Sequence, residues 1–331
     1  MNNWFDELKY DPIKTLIDSQ NEAIIYFIER DLQNQKVKTI DYLWNLPDVK
    51  KIFEKQQSDG SWKFKGKLIH SYPPHHYPLV ATFKNFRNLV NKYELNKRNI
   101  CCEKAAEYIF TCQTPKGDIR GMIGNQYATY YTGTIMSLLI KAGYNDDKRI
   151  EKGFQWLLSM RQNDGGWTIP ILTQDFDGKT SYKLTSTNVK PVEPDFTKPF
   201  SHNWTDMVLR AFAAHPKYKK SKEAKIAANL LKSRFFKKDV YSSYKSETYW
   251  TRFVHWWPNI LTSLESLFNL GFRRDDPDIK IGLNWFIKNQ QKSGLWKVDY
   301  TPGKKEKFSQ KYLDEQLWLT LRICRLLKKY Y

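Results

Sequence analysis

Apolar residues recur along most of this chain at spacings of three and four, the period of a helix that buries one face. The pattern predicts helices over residues 12–33 (Leu16, Ile17, Ala23, Ile24 and Phe27 inward) and 41–57 (Leu43, Leu46, Val49 and Phe53 inward). Further helices are predicted over 79–93, 100–113, 127–142, 147–162, 203–214 and 222–235. The run 250–270 is apolar nearly all round, the mark of a helix buried on every side, and 276–290 and 312–328 complete the set. Residues 168–199 break the rhythm with Pro170, Pro191, Pro194 and Pro199 and hold no sustained period. A stretch of that length inside a compact domain reads as a functional lid or a disordered segment.

One segment repeats. Residues 153–167 read GFQWLLSMRQNDGGW, a helix face ended by glycines and followed at once by a tryptophan that must bury. Residues 282–296, GLNWFIKNQQKSGLW, match it in step, and 53–62, FEKQQSDGSW, match its second half. Residues 108–117, YIFTCQTPKG, form a worn copy without the tryptophan. These segments resemble the QW motifs of the terpene cyclase and protein prenyltransferase superfamily, which includes squalene and oxidosqualene cyclases. The resemblance spans most of the chain and implies an all-α fold, an α/α toroid of about six inner helices ringed by outer ones. It implies a single domain over 1–331 with a long irregular insertion at about 168–200. It also implies that the motif glutamines, Gln57, Gln162 and Gln290 (or their neighbours Gln56 and Gln291), cap adjoining outer helices. Trp62, Trp167 and Trp296 would stack there, so these positions clamp repeats and do no chemistry.

Composition adjusts this picture modestly. Among 331 residues, 12 Trp, 20 Tyr and 19 Phe are enough to furnish a cavity lining as well as a core. The net charge of +19 favours anionic partners, such as a diphosphate or an anionic membrane surface met peripherally, although dispersed lysines on a solvated surface give the same count. No strong nucleic-acid signal accompanies it. Cys101, Cys102, Cys112 and Cys324 form no CxxC pair and read as reduced thiols. The N-terminal MNNWFDELKYD shows no secretory signal and no apolar run is long enough to span a bilayer, so a protein that is cytoplasmic, either free or membrane-peripheral, is expected.

In the toroid that the resemblance implies, inner helices line the central cavity, so their polar stripes carry the functional question. His255, Asn259, Thr262 and Ser266 share one face of the predicted helix 250–270. His202, Asp206 and Arg210 recur every four residues beside a face of Trp204, Met207, Val208, Ala211 and Phe212. Tyr130, Thr134, Ser137 and Lys141 form a third stripe, and Asp314, Glu315, Arg322 and Arg325 a fourth. Tyr130, Tyr131, Trp250, Trp256 and Trp257 are candidate cavity aromatics able to stabilise a cation, with Arg252, Asn259, His75 and His76 as polar lining.

The chemistry is less explicit. A cyclase of the resembled family protonates an alkene with an Asp in a DxDD or DCTAE motif, and neither occurs. The nearest candidate is Asp175 with Asp177, which lack the final acid. Asp275, Asp276 and Asp278 miss the DDxxD spacing that would chelate magnesium and read, like Asp146 and Asp147, as helix-capping acids. The Asp-x-Cys of zinc prenyltransferases is missing too. A different metal set, His202, Asp206 and His255, is possible on two successive inner helices, so zinc or magnesium remains conceivable but neither is clearly encoded. Four histidines, His75, His76, His202 and His255, fall near predicted inner-helix starts, at one rim. With Arg210 and Arg252 nearby, that rim would suit an anionic head and the aromatics below it an apolar tail. Three function classes follow: an isoprenoid-handling enzyme, cyclase-like or prenyltransferase-like; a non-catalytic toroid binding a lipid or a protein; and a carbohydrate-active α/α barrel.

Overall fold

The computed structural model describes residues 4–68, 73–241, 247–253, 257–298 and 309–331. Among them the regular structure is helical. In chain order the helices are α1 (Pro12–Asp18), α2 (Glu22–Phe27), α3 (Asp41–Trp44), α4 (Pro47–Phe53), α5 (His76–Tyr93) and α6 (Ile100–Thr111). They continue with α7 (Thr129–Leu139), α8 (Lys148–Ser159), α9 (Gly178–Ser186), α10 (His202–Ala214) and α11 (Lys222–Lys232). The last are α12 (Ile260–Asn269), α13 (Pro277–Lys288) and α14 (Gln310–Tyr330). The class expected from the periodicity, all-α, is the observed one. Side-chain caps start these helices where the sequence places short polar residues: Asn99 at α6, Asp147 at α8, Ser201 at α10 and Asp276 at α13 each accept a first-turn N–H. Asp147 and Asp276 are therefore the capping acids that the sequence indicated. The four cysteines are free thiols, and no described helix is long and apolar enough to cross a membrane.

The chain divides into two compact units, residues 40–230 with 239–243 and residues 1–39 with 231–238 and 244–331. In the first, α7 and α10 are the most enclosed helices: α7 is buried except at Tyr131, and α10 except at Arg210 and Ala214. They approach so closely that a Cβ on Gly133 would lie 2.6 Å from the Val208 Cα. In the second, α13 crosses α12 at Gly282, where an added Cβ would meet the side chains of Ile260 and Leu264 at 3.0 and 3.1 Å.

One bonding scheme recurs at the ends of the repeats. The indole Nε1–H of Trp62, Trp167 and Trp296 donates to a carbonyl ten residues back, on Ile52, Leu157 and Phe286. The backbone N–H of each tryptophan donates to a threonine on the following buried helix: Trp62 to Thr82 (3.0 Å), Trp167 to Thr205 (2.8 Å), Trp296 to Thr320 (3.2 Å). The worn repeat keeps this bond without the tryptophan, from Ile119 to Thr132 at 3.1 Å. All four threonines are fully buried. In three of the four repeats a glutamine spans its own turn to the next segment. Gln56 donates to Gly60 and Cys101, Gln113 to Gly117 and Arg149, and Gln290 to Gly294 and Tyr10. Gln56 therefore takes the part that Gln57 was expected to play, since Gln57 turns its amide to Lys55 at the surface.

Several boundaries differ from the periodicity. Pro47 and the positive φ of Gln20 split the first two predicted helices. The insertion carries a short helix, α9. The largest difference concerns 250–270, where the helix begins only at Ile260. Pro258 precedes Asn259, which is extended and forms a capping box with Thr262. Asn259 and Thr262 thus pair with each other in starting α12.

The threonine bonds generate a direct test. Thr205→Val keeps the shape but strands the buried Trp167 N–H, and is expected to cost about 1–3 kcal/mol in denaturant unfolding. An unchanged midpoint would show that this bond does not join the repeats.

Candidate active site

Within the 40–230 unit, α5, α7 and α10 bring four aromatic rings into one continuous wall. Phe83 meets Tyr131 edge-to-face at 5.7 Å between ring centroids, Tyr131 meets Tyr130 at 4.4 Å, and Tyr130 meets Trp204 at 4.5 Å. Helix geometry explains their convergence. Thr132 on α7 is committed to Ile119, and Gly133 to the α10 backbone, which leaves the side with Tyr130, Tyr131 and Thr134 for the wall. On α10, Thr205 is likewise held to Trp167, which aims Asn203, Asp206 and Arg210 another way.

Charged groups border the wall. Asp206 is almost fully buried, and its Oδ2 accepts from Arg210 Nη2 at 2.6 Å and Nε at 3.1 Å. Arg87 of α5 lies with its guanidinium 5.1 Å from the centre of the Phe83 ring. Burial pushes the Arg87 pKa down to about 10; Tyr131 acts the other way, and the positive charge of Arg210 adds to the fall.

At the start of α10 sits a group that the sequence did not expose. Asp239, in the segment after α11, is buried and accepts two hydrogen bonds on its Oδ2. These come from the Ser201 hydroxyl at 2.8 Å and the Asn203 N–H at 3.3 Å, and His202 Nδ1 stands 3.3 Å from the same oxygen. A carboxylate beside Nδ1 favours the tautomer protonated there. Asp239 lies 38 residues from Ser201, beyond any helical spacing that could have linked them.

The other candidates lie apart. His75 and His76 at the start of α5 bond the carbonyls of Arg120 and Gly121, and so pin a loop. His202 and Asp206, one turn apart, turn to different partners, and among the described residues no three His, Cys, Asp or Glu side chains converge to hold a metal. His255 and Trp256 lie outside the described residues. Trp250, Arg252, Trp257 and Asn259 belong to the other unit. There Trp250 is buried against Phe235 with its indole on the Lys237 carbonyl, and Arg252 covers the Tyr249 ring. Asp175 and Asp177 are exposed. Asp177 caps α9, and its bonds from the Thr180 backbone and side chain hold its carboxyl below the usual range, the reverse of a proton-holding acid.

The insertion is bound to this unit through side chains. The Gln126 amide both accepts from Val192 N–H and donates to the Lys190 carbonyl, and Tyr127 donates to Glu193. Gln162, the motif glutamine of its repeat, donates to the carbonyls of Asp195 and Lys198, both at 2.8 Å.

No family model matches the chain. Among solved structures it is similar to a protein from Actinoplanes at 12% identity and a TM-score of 0.42, covering 88% of this chain and 87% of that one. It is also similar to the type II terpene cyclase MstE from Scytonema, in variants bound to a geranylgeranyl dihydroxybenzoate substrate and to the product merosterolic acid A. Both stand at 12% identity and a TM-score of 0.43, covering 96% of this chain and 98% of that one for the substrate complex, and 97% and 99% for the product complex.

The Asp239 arrangement predicts a spectroscopic outcome. In histidine-resolved nitrogen NMR, His202 is expected to carry its neutral-form proton on Nδ1, and Asp239→Asn to shift it toward Nε2. An unchanged tautomer in the variant would remove Asp239 as the group that orients His202.

Proposed function

We propose that this chain is a terpene-cyclase-like protein that takes an isoprenoid or similarly apolar ligand onto the aromatic wall of α5, α7 and α10. The observation that carries this reading is the unbroken run Phe83–Tyr131–Tyr130–Trp204, with the Asp206–Arg210 pair elsewhere on α10. Aromatic faces bind an apolar chain by area and stabilise a carbocation by their quadrupoles. The QW-type repeats of the sequence support the same family reading independently of the wall.

In the enzymatic form of this reading, His202 oriented by Asp239 handles protons while Tyr130, Tyr131 and Trp204 face the developing cation. A second form is a binding protein that holds the isoprenoid without converting it. Its specific support is the exposure of Asp175 and Asp177 and the engagement of Asp206 Oδ2 by Arg210, which leave no acid of the resembled cyclase pattern in view among the described residues.

Extraction of the purified full chain followed by mass spectrometry, together with titration by farnesol and geranylgeraniol, tests both forms. Isoprenoid binding is expected, and Trp204→Ala is expected to weaken it about 10-fold or more, the loss of roughly 1.5–3 kcal/mol of ring burial. Conversion of the bound species would favour the enzyme, and recovery unchanged the carrier. If neither alcohol binds, or Trp204→Ala binds as well as the parent, the wall is core packing alone.

A further inference from the structure

Two buried polar groups beside the aromatic wall have no hydrogen-bond partner among the described residues. They are the hydroxyl of Thr134 and the side-chain NH2 of Asn203, on residues only 4% exposed. Leaving such a group unmade costs on the order of 1–3 kcal/mol, so a fold that keeps two at one surface invites a ligand to satisfy them. Their positions are set by residues already placed. Thr134 lies four residues after Tyr130 and three after Tyr131, on the α7 side that forms the wall. Asn203 lies three before Asp206 and seven before Arg210, on one face of α10. The guanidinium groups of Arg87 and Arg210 come from the helices on either side of α7 and are close enough to act on each other electrostatically. Neither Thr134 nor Asn203 gains anything from a pure hydrocarbon, whose arrival would only bury them more deeply.

Resting on the proposed isoprenoid reading, we infer that the ligand is a functionalised isoprenoid. Its anionic, oxygen-bearing head is received by the Thr134 hydroxyl and the Arg87–Arg210 pair, with its chain on Tyr130, Tyr131 and Trp204. A carboxylate and a diphosphate share this chemistry. Both offer several acceptor oxygens to guanidinium donors in a partly dry site, where charge-assisted bonds are strongest. Asn203 supplies a further donor along the chain toward the start of α10.

The test compares ligands with one chain and different heads, titrated into the full-length protein: farnesyl diphosphate, farnesoic acid, farnesol and the hydrocarbon farnesene. At least one of the two anionic compounds is expected to bind 10-fold or more tightly than farnesene, and whichever does so identifies the head. Thr134→Val is expected to reduce that discrimination about 5-fold or more. Because it removes an unpartnered buried hydroxyl, it should keep or raise the melting temperature, an outcome that a purely structural role for Thr134 would not give. Arg87→Gln provides a second variant, expected to lose the preference for the anionic compound selectively. Equal binding of all four compounds would overturn the head assignment and leave the isoprenoid reading standing. So would Thr134→Val or Arg87→Gln retaining the full preference. Binding of none would end both.

Discussion

A buried backbone N–H must be paired, and this structure meets that requirement at the end of each motif with a threonine from the next buried helix. Trp62, Ile119, Trp167 and Trp296 each donate to such a hydroxyl, on Thr82, Thr132, Thr205 and Thr320. The bond is worth little in net terms and much if broken, because the donor has no water to turn to. It therefore acts as a register pin. A helix that rotates by one residue carries its threonine some 100° away from the N–H it serves, so each buried helix is held in one rotation about its axis.

That rotational fixing gives the unit of 40–230 its functional face. With Thr132 and Thr205 turned to the motif ends, Tyr130, Tyr131 and Thr134 on α7 and Asn203, Asp206 and Arg210 on α10 have their directions set. Gly133 then lets the two helices close to a separation that no side chain would permit. The Tyr130–Trp204 contact at 4.5 Å follows from that approach. The same constraint that stabilises the repeats thus aims the wall. Unsatisfied groups left over on that wall are where a ligand has something to contribute.

Much of this was legible in the sequence because it is local. The Gly-aromatic-Gln-Gly-Trp pattern lies within fifteen residues, so helix ends, motif tryptophans and the capping acids Asp147 and Asp276 could be read directly. The stripe of Tyr130 and Thr134 and that of Asp206 and Arg210 also follow from helical spacing. What escaped is set by distance along the chain. The motif-to-threonine separations are 20, 13, 38 and 24 residues, so no fixed spacing announces them. Asp239 reaches Ser201 and His202 only through the fold. The choice of Gln56 over Gln57 depends on which amide faces the next helix, a matter of one residue of rotation. The misread helix at 250–270 has a different cause. Its apolar run is continuous, but Pro258 and the Asn259 capping box override periodicity and start the helix ten residues late.

The wall on α5, α7 and α10 is proposed as the place where an isoprenoid sits. Photo-crosslinking of the full-length protein with a benzophenone-bearing farnesyl compound, followed by peptide mapping, addresses this directly. Labelled peptides are expected from the segments around Tyr130 to Thr134 and Trp204 to Arg210, with labelling suppressed by excess farnesol. Labelling confined to other segments, or labelling that farnesol does not compete, would contradict it.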